Sequence, residues 1–187
     1  MATPRPPARV PAGPLHTVTG ATVTLSDPDH LTHIQFRRFA GCPICNLHLQ
    51  SFVRRHDEVR AAGVREIVFF HSPADDLRAH TDGLPFAVIA DPDRRHYRAF
   101  GVESGARALA DPRAWGAIVR GVAATARGRF RAPAAHQPGG RLGLPADFLV
   151  DPAGAVSAAS YGVHADDQWS VDEVLTLARD TPRPGAR

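Results

Sequence analysis

The sequence contains no lysine, and all 22 of its basic residues are arginine. Without lysine the protein has neither Schiff-base chemistry nor the lysine of a Walker A phosphate-binding loop. The formal net charge of +3 could suit a nucleic-acid partner, but the arginines are scattered. Only Arg127–Arg131 is locally dense, and a solvated loop is the better interpretation of that segment. We therefore expect no nucleic-acid partner.

Long hydrophobic runs are also missing. No apolar stretch approaches the roughly 20 residues that cross a bilayer, and the first residues lack the apolar segment of a secretory signal. We expect a cytoplasmic protein with no membrane partner. Prolines are frequent at both ends, which predicts disordered tails at 1–14 and 181–187 around one domain at 15–180.

Cysteine is scarce. The chain has two cysteines, Cys42 and Cys45, within the stretch Gly-Cys-Pro-Ile-Cys. A structural disulfide is unusual in the cytoplasm. Two cysteines three positions apart therefore indicate either a redox-active pair or part of a metal site.

Hydrophobic periodicity predicts a chain in which strands and helices alternate. In order, the predicted elements are a hairpin at 15–25, a strand at 32–39, a helix at 43–63, a strand at 65–72, a helix at 73–80, a strand at 85–90, a helix at 94–101, an insertion at about 104–144, two strands at 144–162 and a helix that begins after Ser170. The insertion contains a helix that Asp111 caps, and we expect its large apolar residues to carry the packing: Trp115, Ile118, Val119 and Val122.

This order predicts the fold class α/β. Strand–helix–strand units place helices on both faces of a central sheet. The final hairpin and helix are the ordering of a thioredoxin-like domain. We therefore expect a three-layer α/β/α sandwich with a mixed sheet and an insertion before the last β-hairpin.

The sequence Cys42-Pro43-Ile44-Cys45 stands where a strand becomes a helix. Proline is favoured at the first helical position, so Cys42 would lie at the helix N-terminus, where free amides and the helix dipole stabilise a thiolate. Cys45 would lie nearly one turn further on, less exposed but within reach of the Cys42 sulfur. This arrangement predicts a nucleophile and a resolving thiol that form a reversible disulfide.

Two other interpretations of the pair remain open. The cysteines can simply pack beneath a helix, or they can hold a metal together with His48, because the three residues form Cys-x-x-Cys-x-x-His. A structural zinc site usually needs four ligands, and the sequence offers no second cysteine pair. We therefore predict neither a metal nor another cofactor, and expect His48 to be a half-buried helix residue that can tune a thiolate.

Three further residues are candidates for supporting roles. Arg37 and Arg38 precede the cysteines, and alternation along a strand would direct one of them to the thiols and the other to solvent. Pro145 precedes a buried strand after a glycine-rich loop, where its backbone could approach the thiols. On the residues alone, its peptide bond is expected to be trans.

Three stretches of the sequence resemble one family. Residues 23–49, with Gly-Cys-Pro-Ile-Cys, residues 84–102 and residues 139–156 are similar to the peroxiredoxin-like branch of the AhpC/TSA superfamily, in particular the members with a Gly-Cys-x-x-Cys active site. The resemblance covers roughly residues 15 to 178. It implies a thioredoxin fold in which Cys42 attacks and Cys45 is its partner, and it implies that Pro145 is the cis-proline of thioredoxin-like proteins.

The chain also departs from both parent patterns. Typical peroxiredoxins carry Pro-x-x-x-Thr/Ser-x-x-Cys, and the hydroxyl group of this pattern holds the peroxide. Gln35 and Phe39 occupy the proline and hydroxyl positions here, so that clamp is missing. Phe36 replaces the buried aspartate of thioredoxins. The resemblance implies a thiol-dependent oxidoreductase that reduces a peroxide or a disulfide, with a thioredoxin-like protein or a low-molecular-weight thiol as external reductant. The alternative is a non-catalytic redox sensor, binding module or metal-holding module.

Overall fold

The structure is a computed structural model that describes residues 5–102 and 107–182. The strands are β1 (Leu15–His16), β2 (Thr22–Val23), β3 (Leu31–Phe36), β4 (Val64–Phe70), β5 (Ala87–Ala90), β6 (Ala146–Val150) and β7 (Val156–Tyr161). The helices are α1 (Pro43–Arg54), α2 (His56–Ala61), α3 (Ala74–Thr81), α4 (Arg95–Ala99), α5 (Arg107–Ala110) and, after a 3-10 turn at Pro112–Ala114, α6 (Trp115–Ala126) and α7 (Val171–Asp180).

Five strands form a mixed sheet in the order β5-β4-β3-β6-β7. β3 pairs in parallel with β4, and β4 with β5, as expected for strands joined through helices. β6 is antiparallel to both β3 and β7. The predicted mixed sheet with a closing hairpin is therefore confirmed. The predicted hairpin near the start is β1 paired with β2, outside this sheet.

Helices cover one face of the sheet, and a smaller layer covers the other. On the first face Phe52 of α1, Leu77 of α3 and Val174 of α7 are fully buried against the strands. On the second face Phe36 packs against Tyr97 of α4, and the β1–β2 hairpin adds partly buried residues. This α/β/α layering is the predicted fold class.

The single helix predicted at 43–63 is two helices. α1 ends at Arg54 and α2 begins at His56, with Arg55 between them at φ −115°. The Arg55 guanidinium pairs with Glu58 and with Asp172 of α7, each at 2.7 Å. The bend lets α2 turn its one buried residue, Val59, onto the sheet.

Residues 1–4 and 183–187 of the two predicted tails lie outside the described residues. Within the described part, the Val156 amide donates to the Ala8 carbonyl, and the Val10 amide donates to the Gly154 carbonyl. Part of the predicted N-terminal tail therefore contacts the last hairpin, while the domain boundary at residue 15 stays a prediction. No helix in the described ranges is both long and apolar enough to span a bilayer.

The face of α6 that packs on α1 is not the predicted one. Its buried residues are small: Ala117, Gly121 and Ala124. The large residues that we expected inside are exposed, namely Trp115, Val119 and Val122, and Ile118 is partly buried. The reason is a close approach between helices, because a methyl group at Gly121 would lie 2.9 Å from the Pro43 side chain.

Candidate active site

The two cysteines lie in a turn between β3 and α1, which we call the thiol turn (residues 41–45). Gly41 has φ +75°, a conformation that glycine adopts without strain, and it redirects the chain after the strand. Cys42 is the N-cap residue of α1 and Pro43 is the first helical residue, as predicted. The carbonyl of Cys42 accepts the first helical hydrogen bond, from the Asn46 amide at 2.9 Å.

Both thiols are free and buried, and the Cys45 thiol forms a hydrogen bond with the Cys42 sulfur. Burial alone raises the pKa of Cys42. The hydrogen bond with Cys45, the positive charge of Arg38 and the amides of Cys45 and Ile44 outweigh burial and lower the pKa of Cys42 to about 6. Burial and the neighbouring Cys42 sulfur raise the pKa of Cys45 well above its ordinary value. At neutral pH the pair therefore holds one thiolate and one thiol.

The expectation that Cys42 is more exposed than Cys45 is wrong. Their exposed fractions are 0% and 1%. Segments of the insertion cover the thiol turn, and a methyl group at Gly41 would lie 2.9 Å from the Cα atom of Pro133. Gly121 of α6 rests on Pro43 in the same way. The predicted insertion thus forms a cover over the thiols, so any substrate of Cys42 needs a displacement of this cover.

Arg37 and Arg38 are both buried, with exposed fractions of 0% and 2%. The prediction that one of them extends into solvent is therefore wrong. Arg38 contributes the positive charge next to Cys42. Its guanidinium lies 5.2 Å from the centre of the Phe39 ring and donates to the Arg141 carbonyl. The Arg141 guanidinium also lies 5.2 Å from the centre of that ring. These contacts fix Arg38 beside the thiol turn and attach the insertion to it.

Arg37 belongs instead to a buried polar network beneath α1. Its guanidinium donates to Asp147 on β6 at 2.7 Å and to the Gln35 side chain at 2.6 Å. Burial raises the pKa of Asp147, but Arg37 and His33 more than reverse this effect and hold the pKa below its usual range. Arg37 is therefore a charge partner of Asp147, and the hypothesis that it acts on the thiols has no support in these contacts.

His33 lies at the centre of the same network. Its Nδ1 is 3.0 Å from Glu66 on β4, and its Nε2 is 3.1 Å from Asp147. A neutral imidazole has one N–H, so an imidazole between two carboxylate oxygens is expected to carry a second proton. Burial lowers the pKa of His33, and hydrogen bonds to Asp147 and Glu66 raise it above the ordinary value overall. We call His33, Gln35, Arg37, Glu66 and Asp147 the buried polar network.

Sequence reasoning missed this network, although a signal was present. His33, Gln35 and Arg37 alternate with apolar residues along β3, which places three polar side chains on one face of a buried strand. Asp147 likewise interrupts an apolar strand. A buried carboxylate therefore exists in this chain, at a position different from that of the aspartate that Phe36 replaces.

His48 is half-buried, as predicted, but its partner is Arg37. The guanidinium of Arg37 donates to His48 Nε2 at 3.0 Å. Burial and the Arg37 charge lower the pKa of His48 well below 6.5, so the ring is uncharged. One of the two His48 ring nitrogens that could bind a metal is thus occupied by Arg37. Across residues 5–102 and 107–182, no group of three or more histidine, cysteine, aspartate or glutamate side chains could hold a metal ion.

Pro145 is trans, and the cis peptide that the family resemblance implied is wrong, since the described residues contain no cis peptide bond. The trans form is the ordinary preference of an X-Pro bond. The Pro145 carbonyl accepts from the Gly162 amide at 2.9 Å, and a methyl group at Gly162 would lie 2.7 Å from the proline ring. Pro145 therefore contacts the segment after β7 as the chain enters β6.

His71, which belongs to none of the sequence motifs, follows β4 and is joined to Arg38 through the backbone. Its amide donates to the Arg38 carbonyl at 3.1 Å, and neither ring nitrogen has a hydrogen-bond partner within the described ranges. Gly139 and Gly143 allow the insertion to pass against the ring, because methyl groups there would lie 2.5 and 2.9 Å from its nitrogens. Burial and the charge of Arg94 lower the pKa of His71 to about 4. The His71 ring is thus uncharged and packs against the insertion.

An apolar cavity of about 390 Å³ adjoins the thiol turn. Pro43 and Ile44 form one side, and Ile118 and Val122 of α6 form the other, with Arg38 also contributing to the lining. Two of the large α6 residues, Ile118 and Val122, therefore line a surface next to the cysteines.

The sequence profile described as AhpC/TSA antioxidant enzyme matches residues 51–164. This span is more than half of the chain and runs from the last turn of α1 to the segment after β7. The chain belongs to the AhpC/TSA antioxidant enzyme family. The family consists of thiol-dependent, peroxidase-like oxidoreductases. The match begins after both cysteines of this AhpC/TSA protein, so the thiol turn itself stands on the geometry above. A comparison with curated protein sequences gave no match.

Solved structures of similar fold include peroxiredoxins and a thiol:disulfide interchange protein. Peroxidoxin BcpB from Mycobacterium tuberculosis is 15% identical with a TM-score of 0.61, covering 93% of this chain and 96% of that one. Peroxiredoxin Q from Xanthomonas campestris is 20% identical with a TM-score of 0.58, covering 89% of each chain. The putative thiol:disulfide interchange protein DsbE from Chlorobium tepidum is 17% identical with a TM-score of 0.57, covering 94% and 99%. Because the sequence identities are low, the similarity to these structures shows the thioredoxin-like fold alone.

Proposed function

We propose that this AhpC/TSA protein is a cytoplasmic thiol–disulfide oxidoreductase that reduces peroxides or disulfides, with Cys42 as nucleophile and Cys45 as resolving thiol. The observation that carries the proposal is the thiol turn: a sulfur at the start of α1 with a pKa of about 6, in contact with a second sulfur that retains its proton. Membership of the AhpC/TSA family supports the same chemistry.

With a peroxide, the Cys42 thiolate attacks one oxygen and breaks the O–O bond. Cys42 becomes a sulfenic acid, and the other oxygen leaves and takes a proton. The Cys45 thiol then attacks the Cys42 sulfur, which forms the disulfide and releases water. With a disulfide substrate, Cys42 forms a mixed disulfide that Cys45 resolves. An external thiol system returns two electrons in either case. Arg38 stabilises the thiolate before attack, and Arg37, His48 and Pro145 take no part in these steps.

The central experiment compares wild type with Cys42→Ser and Cys45→Ser in peroxide consumption coupled to thioredoxin and in insulin-disulfide reduction. We expect Cys42→Ser to abolish both activities and Cys45→Ser to remove sustained turnover. Alkylation of wild-type Cys42 should follow a titration near pH 6. If Cys42→Ser turns over either substrate like wild type, Cys42 is not the nucleophile.

A second candidate is a redox sensor without turnover. The observation that favours it is the complete burial of Cys42 beneath the insertion. A sensor would form the Cys42–Cys45 disulfide on mild oxidation, with a mass loss of two hydrogen atoms, yet show no sustained activity in either assay. Continuous turnover with thioredoxin would exclude this candidate.

A further inference from the structure

A polar groove runs along the side of α1 that faces α3. It consists of two adjoining cavities of about 220 and 290 Å³, which share Ala79, His80 and Arg131. Sites of roughly 300–1,000 Å³ are typical for small ligands. The polar side chains of the first cavity are Asn46, Gln50, His80, Asp82, Arg129 and Arg131, and the second cavity adds Asp75, Asp76 and Gln137. The segment at 129–134 separates this groove from the apolar cavity beside α6.

Asp75 of the groove is paired with Arg78, whereas Arg129, Arg131, Asp76 and Asp82 form no ion pair within the part of the chain that the structure describes. The Arg129 guanidinium lies 5.7 Å from the centre of the neighbouring Phe130 ring. The buried Nδ1 of His80 likewise lacks a hydrogen-bond partner within those residues. Burial and the positive charge of Arg131 lower the pKa of His80, so its ring is uncharged and available as a donor or acceptor.

The groove lies beside the thiol turn. A methyl group at Gly41 would lie 2.6 Å from the His80 ring, so His80 touches the residue before Cys42. Asn46 directly follows Cys45 along α1, and the second cavity reaches Ala40. A small molecule held in the groove therefore has its other end next to the cysteines. Pro133, which rests on Gly41, has to move before that end meets Cys42.

The chemistry of the groove is that of a zwitterion receptor. The two guanidinium groups, of Arg129 and Arg131, suit carboxylates, and the two unpaired carboxylates, of Asp76 and Asp82, suit an ammonium group. The side-chain amides of Asn46 and Gln50 can bind a peptide group between them. A phosphate would face repulsion from Asp82. Small thiols of the cysteine or γ-glutamyl-cysteinyl type carry carboxylates, an ammonium group and a thiol within one short molecule.

We propose that this groove binds the carboxylate and ammonium groups of a low-molecular-weight zwitterionic thiol, which reduces the Cys42–Cys45 disulfide. The proposal rests on the redox cycle above and names its reductant. The thiolate of one bound molecule attacks the Cys42 sulfur, and Cys45 leaves and takes a proton. A second thiol attacks the sulfur of the bound molecule, which releases the small disulfide and the Cys42 thiolate. Two thiols thus supply the two electrons.

The experiment uses the full chain with its disulfide formed beforehand and measures the rate of reduction. Glutathione is the zwitterionic probe, and 2-mercaptoethanol is the uncharged probe. In the double variant Arg129→Gln/Arg131→Gln we expect the rate with glutathione to fall at least about fivefold, while the rate with 2-mercaptoethanol stays within about twofold. Arg127→Gln, in the same loop but outside the groove lining, is the matched control and should keep both rates.

Two further measurements identify the recognised groups. Asp82→Asn should slow reduction by glutathione but leave reduction by N-acetylcysteine, which lacks the ammonium group, unchanged. S-methylglutathione, which has the charges without the thiol, should compete with glutathione in wild type. Equal losses with glutathione and 2-mercaptoethanol, or no loss with either, would overturn the groove proposal.

The two proposals fail in different ways. If the wild type turns over peroxide or insulin with thioredoxin, but the Arg129→Gln/Arg131→Gln substitutions leave the rate of reduction by glutathione unchanged, only the groove proposal is wrong. If mild oxidation forms no Cys42–Cys45 disulfide at all, the proposed redox function is wrong.

Discussion

The thiol turn and the buried polar network both adjoin α1, yet their buried charges are stabilised in different ways. The network balances its charges internally, because two carboxylates face one guanidinium and one imidazole that carries a second proton. The thiolate of Cys42 has Arg38, amides and a thiol as its stabilising neighbours. Charges that are paired with one another stabilise the folded state, whereas a thiolate stabilised by dipoles and one cation stays nucleophilic. The comparison therefore assigns stability to the network and chemistry to the turn.

The largest expected effect comes from removing one charge of the network. Asp147→Asn leaves Arg37 and His33 without their shared carboxylate, and breaking a buried ion pair in this way costs roughly 3–5 kcal/mol. The free energy of unfolding from urea denaturation measures the loss. The matched control is Asp172→Asn, whose exposed ion pair with Arg55 is worth at most about 1 kcal/mol.

The comparison also predicts that Asp147→Asn leaves the chemistry of the turn intact. Below its unfolding transition, the variant should alkylate Cys42 with the same pH dependence as wild type. If Asp147→Asn costs no more than Asp172→Asn, or if it shifts the Cys42 titration, the division between the two regions is wrong.

The next effect concerns the cover over the thiols. Gly121→Ala places a methyl group 2.9 Å from Pro43, so α6 has to move away from α1. Overpacking of this kind costs roughly 1–3 kcal/mol, and we expect Cys42 to react faster with an alkylating reagent. The matched control is Gly116→Ala on the same helix. Its methyl group would meet only the flexible end of Arg120, at 3.3 Å, and helix propensity favours alanine over glycine by up to about 1 kcal/mol.

An equal alkylation rate in the Gly121 and Gly116 variants would show that α6 does not control access to the thiols. A faster rate in Gly121→Ala alone would connect the packing of the insertion directly to the reactivity of the turn.

Local signals made much of the fold and the start of the site predictable. A proline after a strand sets the first residue of α1, so the position of Cys42 at the helix N-terminus followed from its neighbours in sequence. The capping box formed by Ser170 and Glu173 fixed the start of α7 in the same way. Continuous apolar stretches identified β4 and β5 as buried parallel strands.

The remaining features depend on contacts between distant segments. The burial of Cys42 depends on Gly121 and Pro133, which lie about 80 to 90 residues later, and no local pattern connects them to the turn. The role of Arg37 depends on the register of β3 with β6, which brings Asp147 opposite Gln35. The role of Arg38 depends on its contacts with the insertion. The outward face of α6 follows from a helix approach that small residues permit. Sequence periodicity detected that helix but assigned its apolar residues to the wrong side.

The last prediction concerns the sign of the pH response and not its size. Burial raises the pKa of Cys42, but its neighbours lower it overall to about 6, so its contribution to stability is present above the unfolded-state pKa of roughly 8.5 and is lost as pH falls towards 6. The pKa of His33 is raised, so its contribution is present below about 6.5 and is lost as pH rises through the folded-state value. Unfolding free energies of reduced wild type, Cys42→Ser and His33→Gln should be compared from pH 6 to pH 9. The advantage of wild type over Cys42→Ser should grow with pH, and its advantage over His33→Gln should shrink. If both differences in unfolding free energy changed with pH in the same direction, one of the two buried sites would not hold the charge that its contacts imply.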